Sequence, residues 1–66
     1  MKLIITLHAQ QRMDQYGITE EHLKVAIQRG AKFPQTEGLV AVYTYIRVAY
    51  RIVSEKYIIK TVMIQR

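Results

Sequence analysis

The sequence predicts an α+β fold, in which two N-terminal helices pack on a three- or four-stranded, mostly antiparallel sheet. Apolar residues recur at helical spacing between residues 8 and 30, which indicates the helices. Residues 39–66 contain no Pro, Gly, Asn or Asp and are dominated by Val, Ile and Tyr, which is typical of strands. The 66 residues fit a single domain over 1–66, and because so short a chain has a small core, a homodimer is one way to bury more surface.

A short strand and a helix are predicted at the start of the chain. Residues 2–7 are mostly β-branched or apolar, which favours a strand. From His8 onward the apolar side chains recur every three or four residues, which predicts a helix. Gly17 is the residue type that most readily takes the left-handed conformation at a helix end, so the helix is expected to end there.

The second helix has clearer boundary signals than the first. Thr19 is a good N-cap, and Ile18 and Leu23 occupy the two positions of a hydrophobic staple. His22 stands where a capping box has Glu or Gln, so the box is expected to be incomplete. Gly30 ends the helical pattern.

The second half of the chain is predicted to form strands after a connection. Residues 30–38 contain Pro and two Gly and are interpreted as that connection. A strand is expected over about 39–43. Since no Gly or Asn marks a turn before Arg47, one long bent strand is the alternative.

The last hairpin is predicted to turn at residues 54–56. This turn places Val53 opposite Tyr57 and Tyr50 opposite Lys60. In that register Lys60 lies on the helix side of the sheet; the alternative is that it adds to the basic face of Arg47 and Arg51. The opposite face is then expected to show Arg47, Ala49, Arg51, Ile59, Thr61 and Met63.

The charge distribution indicates an anionic partner. The net charge is +5, of which residues 1–38 contribute +1 and residues 39–66 contribute +4. RNA or DNA is the commonest large anionic partner, whereas a merely solubilising surface is the alternative interpretation. The sequence has no apolar stretch of signal-peptide or membrane-spanning length, so a cytoplasmic location without membrane contact is expected.

Metal and cofactor sites are not predicted. The chain has no Cys, and its two His residues are 14 positions apart. It also lacks the glycine-rich phosphate loop, the dinucleotide fingerprint and the HExxH motif.

His8 and Arg12 are four residues apart, so their side chains are neighbours on a helix. A histidine exchanges protons near neutral pH and an arginine holds a phosphate with two hydrogen bonds, which together suit phosphodiester chemistry. The other interpretation is structural: His8 packs at the sheet edge or bonds the chain near the helix start, and Arg12 is solvated.

Arg47 and Arg51 alternate with the small Ala49, so both arginines are predicted on one sheet face with accessible backbone between them. They are candidate phosphate-binding residues, with Lys60 and Arg66 as further nucleic-acid-binding candidates. A solvated sheet face without a ligand is the alternative.

The stretch HAQQRMDQYGIT resembles the H-A-x-x-R-M-x-x-x-G-I-[ST] signature of a family of small uncharacterised bacterial and archaeal domains. The stretch YRIVSEKYIIKTVMIQR is similar to that family's closing hairpin. The resemblance implies a relationship to the RelE-like ribonuclease toxins, with two helices before an antiparallel sheet and commonly an antitoxin as partner. Tyr16 stands where the family often has a basic residue, and the sheet is shorter than in a typical RelE-like toxin.

The resemblance implies a toxin-type endoribonuclease that needs no metal and cleaves RNA by attack of the 2′-hydroxyl. His8 is then the general acid or base, and Arg12 orients it or the phosphate. Arg47 and Arg51 hold the phosphates and stabilise charge in the transition state. One alternative is a nucleic-acid-binding module without catalysis. Another is a protein-interaction domain that docks an acidic antitoxin through an exposed strand edge.

Overall fold

The computed structural model describes residues 1–65, and Arg66 lies outside the described residues. The elements in chain order are β1 (Lys2–Ile5), α1 (Leu7–Tyr16), α2 (Glu20–Arg29), β2 (Ala31–Gln35), β3 (Gly38–Tyr43), β4 (Ile46–Val53) and β5 (Lys56–Ile64).

The strands form one sheet in the order β1-β5-β4-β3-β2. β1 runs parallel to β5, and the remaining neighbours are antiparallel. α1 lies against β5 and α2 lies against β3 and β4, so both helices cover the same face of the sheet. The predicted α+β class with two helices is therefore confirmed, whereas the predicted number of strands is too low.

β2 is the strand that the sequence interpretation assigned to a connection. All five of its residues are exposed, because β2 is an edge strand that protrudes beyond the helices. Pro34 is tolerated there because a proline lacks the N–H that a central strand would need. Without a buried face, β2 has no alternation of apolar and polar residues to reveal it.

β1 ends at Ile5, two residues earlier than predicted, because Thr6 is the N-cap of α1. Its Oγ1 accepts a hydrogen bond from the backbone N–H of Ala9 (3.2 Å) and donates to the carbonyl of Ile59 (2.9 Å). The same side chain thus begins the helix and ties it to β5. At the other end, Gly17 takes the predicted left-handed conformation with φ of 69°.

α2 begins with a complete capping box, although the sequence interpretation expected an incomplete one. The N–H of His22 donates to Oγ1 of Thr19 (3.3 Å), and the N–H of Thr19 donates to Nδ1 of His22 (3.0 Å). The imidazole therefore does what a Glu or Gln side chain does in the usual box. Ile18 and Leu23 are both buried, as a hydrophobic staple requires.

The hairpin between β4 and β5 corrects the predicted register. Its loop has two residues, Ser54 and Glu55, with φ of 49° and 68°, so Val53 pairs with Lys56. Positive φ at both positions is the requirement of a type I′ turn, which normally uses Asn and Gly. Neither residue is typical of this turn, which is why the sequence suggested a longer loop.

A β-bulge restores the predicted register farther along the hairpin. Tyr50 pairs with Ile59 and Ala49 pairs with Thr61, so Lys60 is an additional residue in β5. Ile59 consequently lies in the core rather than on the opposite face, and Lys60 does not pair with Tyr50. Beyond the bulge the predicted pairs Val48–Val62 and Ile46–Ile64 are confirmed.

β3 and β4 are two strands and not one bent strand. Tyr43 pairs with Ile46, which leaves Thr44 and Tyr45 as a two-residue turn. Thr44 has φ of 53°, a conformation that a β-branched residue rarely adopts. The turn could not be predicted from the sequence because it contains neither Gly nor Asn.

The core lies between the helices and one sheet face. It is almost entirely apolar, and within residues 1–65 no polar or charged residue is classed as buried. Its members are Ala9, Met13, Ile18, Leu23, Ala26, Ile27, Ala41, Ile46, Val48, Tyr50, Ile59 and Val62.

Candidate nucleic-acid interface

The sheet carries nearly all of the excess positive charge. In residues 1–65 the five strands contain six basic residues and no acidic one, whereas the two helices contain three of each. The two remaining carboxylates, Glu37 and Glu55, lie in hairpin turns. The core-facing side chains alternate with a second set that we call the helix-free face. Five of the six basic strand residues lie on it: Lys2, Arg47, Arg51, Lys56 and Lys60.

A row of small or apolar side chains crosses the middle of the helix-free face. Phe33 pairs with Val40, Val40 with Ala49, and Ala49 with Thr61, so the row runs from β2 to β5. Val40 is 2% exposed and Ala49 is 5% exposed, although neither belongs to the core under the helices. Neighbouring side chains therefore cover Val40 and Ala49, so the middle of the row is closed to solvent. We call this row the furrow.

Arg47 and Arg51 flank the furrow, one on each side. Arg47 lies in the row of Val42 and Met63, and its Nε is buried without a hydrogen-bond partner among the described residues. Arg51 is exposed and lies beside Gly38. A Cβ on that glycine would lie 3.0 Å from Cβ of Arg51 and would clash with the Tyr50 carbonyl.

Lys60 extends the basic wall on the helix-free side. Together with Gln35, Thr36 and Glu37 it lines a depression of about 390 Å³. Gln35 ends β2, and Thr36 and Glu37 form the β2–β3 turn, so the depression lies between the tip of that hairpin and Lys60 of β5. Because of the bulge, Lys60 is an additional residue of β5 and does not pair with Tyr50, the pairing that would have placed it on the helix side.

His8 stands at the β5 end of the furrow. Its Nε2 lies 3.1 Å from Oγ1 of Thr61, and the imidazole is otherwise exposed. This contact joins α1 to the sheet edge, as the structural interpretation of His8 requires. Arg12, one turn later in α1, is half-buried, and its Nη1 donates to Oε1 of Gln15 at 3.5 Å.

The sequence-predicted site residues form two groups. His8 and Arg12 share one side of α1, whereas Arg47, Arg51 and Lys60 surround the furrow. No hydrogen bond in residues 1–65 joins Arg51 to His8 or Arg12. Since β4 lies one strand spacing of about 5 Å beyond β5, a ligand must cross β5 to touch both groups. Their assignment as catalytic residues stays a prediction, and Arg66 lies outside the described residues.

Phe33 and Val40 are the residues of this face that sequence reasoning missed. Phe33 is 52% exposed at the open end of the furrow, but β2 was interpreted as a connection. Because β2 has no buried face, its sequence carries no alternation of apolar and polar residues that would have indicated a strand.

Tyr50 and Tyr57 face the core instead of the furrow. The rings of Tyr50 and Tyr57 are 5.8 Å apart between centroids and tilted by 31°. Burial and, to a smaller extent, the neighbouring Tyr57 raise the pKa of Tyr50 above its usual value of 10.0. These rings therefore serve packing.

Residues 1–65 show neither a cluster of metal ligands nor a membrane-spanning helix. Residues 1–65 contain no group of three or more His, Cys, Asp or Glu side chains arranged to hold a metal ion. Neither helix has the length and apolar character to cross a bilayer.

Comparison with known proteins gives a family and no characterised relative. No curated protein matches the chain significantly, and no solved structure does so either. A family model described as a domain of unknown function, DUF4258, matches residues 5–64. Since that range covers nearly all of the chain, from the end of β1 to the end of β5, the protein belongs to the DUF4258 family.

Proposed function

We propose that this protein binds RNA along the furrow. The observation that carries the proposal is the charge separation between the two layers: six basic and no acidic residues in the strands against balanced helices. A surface of one sign attracts a polyanion and raises its association rate. The walls of the furrow then supply specific contacts to phosphate oxygens.

Arg47 flanks the furrow and supports an anionic ligand at this place through its guanidinium. Its Nε is closed to solvent, so this atom can donate to a phosphate oxygen only after the side chain shifts. Arg51 and Lys60 offer further donors on the other side of the furrow. Arginine is suited to this role because its planar guanidinium binds two phosphate oxygens at once.

A binding titration with matched arginine variants tests the proposal. Arg51 and Arg29 are both exposed, but Arg29 lies at the end of α2, on the opposite side of the molecule from the furrow. We expect Arg51→Ala to weaken the binding of a fluorescent RNA severalfold and Arg29→Ala to leave it unchanged. Equal losses in the two variants would indicate only nonspecific attraction by net charge.

RNA cleavage is the second candidate function, and the position of His8 favours it. His8 is exposed at the end of the furrow, with Nε2 at 3.1 Å from Thr61 Oγ1, so RNA that follows the furrow passes its imidazole. In this hypothesis the 2′-oxygen attacks the adjacent phosphorus and the P–O5′ bond breaks, which leaves a 2′,3′-cyclic phosphate and a 5′-hydroxyl. His8 either takes the proton from the 2′-hydroxyl or gives a proton to the leaving 5′-oxygen. Arg12 orients the phosphate. The resemblance to RelE-like ribonucleases is its second support.

Cleavage is tested by incubating the protein with labelled RNA in EDTA. The hypothesis expects products that end in 2′,3′-cyclic phosphate and a loss of about 10²- to 10⁴-fold in His8→Ala. His22→Gln is a suitable control because glutamine also completes a capping box. Products with 5′-phosphates, or undiminished cleavage by His8→Ala, would remove His8 from the mechanism.

A further inference from the structure

We infer that the depression between the tip of the β2–β3 hairpin and Lys60 binds an unpaired guanine, and that Glu37 selects this base. This inference rests on the proposed function and adds the part of the RNA that the protein recognises. Three observations carry it: an open space of suitable size, opposite charges that line this space without pairing, and a carboxylate beside an otherwise basic surface.

The depression is large enough to receive one base. Its volume of about 390 Å³ lies within the range of small-molecule sites, which is about 300–1,000 Å³. Gln35, Thr36 and Glu37 are exposed and Lys60 is half-buried, so a ligand reaches the lining residues directly from solvent. A base that enters the depression therefore meets polar side chains of both charges.

The polar groups that line the depression are not used inside the protein. Glu37 and Lys60 carry opposite charges, but no ion pair within residues 1–65 joins them. The side chains of Gln35 and Thr36 likewise make no hydrogen bond in that part of the chain. These donors and acceptors therefore remain available to a ligand that lies between the hairpin and β5.

Glu37 indicates that a base, and not a phosphate, occupies the depression. The carboxylate adjoins a sheet whose strands carry six basic residues and no acidic one, and it repels the phosphates that those residues attract. A carboxylate is an acceptor only, so the N–H groups of a base edge satisfy it. The depression thus suits the part of a nucleotide that has donors and no charge.

Guanine is the base whose donors match a carboxylate. Its Watson–Crick edge has two adjacent donors, N1–H and the N2 amino group, which can bond the two oxygens of Glu37. Its O6 then accepts a hydrogen bond from the Gln35 amide, which leaves the Lys60 ammonium for a phosphate. Adenine, cytosine and uracil each have a single donor group on that edge. In a duplex the same edge is paired with cytosine, so the guanine must be unpaired.

The position of Arg51 links the base site to the phosphate contacts. Glu37 directly precedes Gly38, and a Cβ on Gly38 would lie 3.0 Å from Cβ of Arg51. The Arg51 side chain is therefore long enough to hold a phosphate of the nucleotide whose base occupies the depression. One nucleotide is thus recognised by its base at the hairpin tip and by its phosphate at β4.

Fluorescence anisotropy with three matched RNAs tests the inference. The probes are a short unstructured oligonucleotide with a single central guanine and the same oligonucleotide with adenine or inosine at that position. Inosine lacks the N2 amino group, so it loses one of the two hydrogen bonds to the carboxylate. The proteins are wild type, Glu37→Gln and Glu55→Gln. Glu55 is the matched control, since it is exposed at the second position of the other two-residue hairpin turn, outside the depression.

We expect wild type to bind the guanine probe about 5- to 150-fold more tightly than the adenine probe, the range for one contact with two hydrogen bonds to a base. The inosine probe should lie between them. Glu37→Gln should remove most of the preference, because an amide has one acceptor oxygen and its NH₂ group opposes the donors of guanine. It should not weaken binding of the adenine probe, since the substitution also removes a negative charge near the phosphates. Glu55→Gln should keep the full preference.

Four results would overturn the inference: equal affinity of wild type for the guanine and adenine probes, inosine bound as tightly as guanine, a guanine preference that survives in Glu37→Gln, or an equal loss of preference in Glu55→Gln. In each case the binding of all probes would still depend on Arg51, so the proposed function would stand. Absence of binding to every probe would overturn the proposed function as well.

Discussion

Removal of Arg51 is expected to change the salt dependence of RNA binding by a calculable amount. Three basic residues line the furrow, Arg47, Arg51 and Lys60, and each is assigned one phosphate. For single-stranded RNA, the plot of the logarithm of the binding constant against the logarithm of the salt concentration has a slope of about −0.7 per neutralised phosphate. This gives a slope of about −2.1 for wild type and about −1.4 for Arg51→Ala. Between about 50 and 200 mM salt, affinity should then fall about 18-fold for wild type and about 7-fold for the variant.

The assay is a series of anisotropy titrations with one short RNA over that range of KCl. Arg29→Ala, at the end of α2, should keep the wild-type slope, since it has no assigned phosphate. An Arg51→Ala slope equal to that of wild type would mean that Arg51 contacts no phosphate. A wild-type slope near zero would refute electrostatic binding in the furrow altogether.

Three further predictions concern the fold that holds the furrow. Burial and, secondarily, Tyr57 raise the pKa of Tyr50 in the folded protein, so as the pH rises the unfolded chain loses the Tyr50 hydroxyl proton before the folded chain does. The stability from Tyr50 is thus complete below pH 10.0 and is lost as the pH rises through the folded pKa. Above pH 10.0, denaturant titrations should show the free energy of unfolding fall by up to about 1.4 kcal/mol per pH unit, and this fall should be smaller in Tyr50→Phe. Identical pH profiles of the two proteins would contradict this. Replacing Ser54 by Asn and Glu55 by Gly should raise the free energy of unfolding by about 1 kcal/mol, since both φ values are positive; an unchanged or lower midpoint would count against the turn assignment. His22→Ala should lower the free energy of unfolding by about 1 kcal/mol and His22→Gln by clearly less, so equal losses would exclude the capping role.

The elements with a buried face were predictable from the sequence, because burial imposes a period. Ile18, Leu23 and Ile27 mark α2 in this way, and the pairs beyond the bulge follow from the same pattern. β2 has no buried face and leaves no such period. The bulge at Lys60 could not be predicted either, because it depends on the length of the turn at Ser54 and on the hydrogen bonds that Thr6 makes to the β5 backbone.

The same limits apply to the candidate interface. Arg47 and Arg51 were predictable on one face, since two sheet positions two or four residues apart point the same way. Phe33 could not be assigned to this face because β2 was interpreted as a connection. The face on which Lys60 lies could not be predicted because it depends on the bulge. The furrow as a whole is a property of pairing across four strands, which no local stretch of sequence contains.

The most direct test of RNA binding in the furrow is an NMR titration of the ¹⁵N-labelled protein with a short single-stranded RNA. Binding in the furrow predicts that the amide signals of Val40, Ala49 and Thr61 shift with saturation, while those of α2 between Glu20 and Arg29 stay in place. Shifts confined to α2, or no shifts at RNA concentrations well above those of the protein, would contradict it.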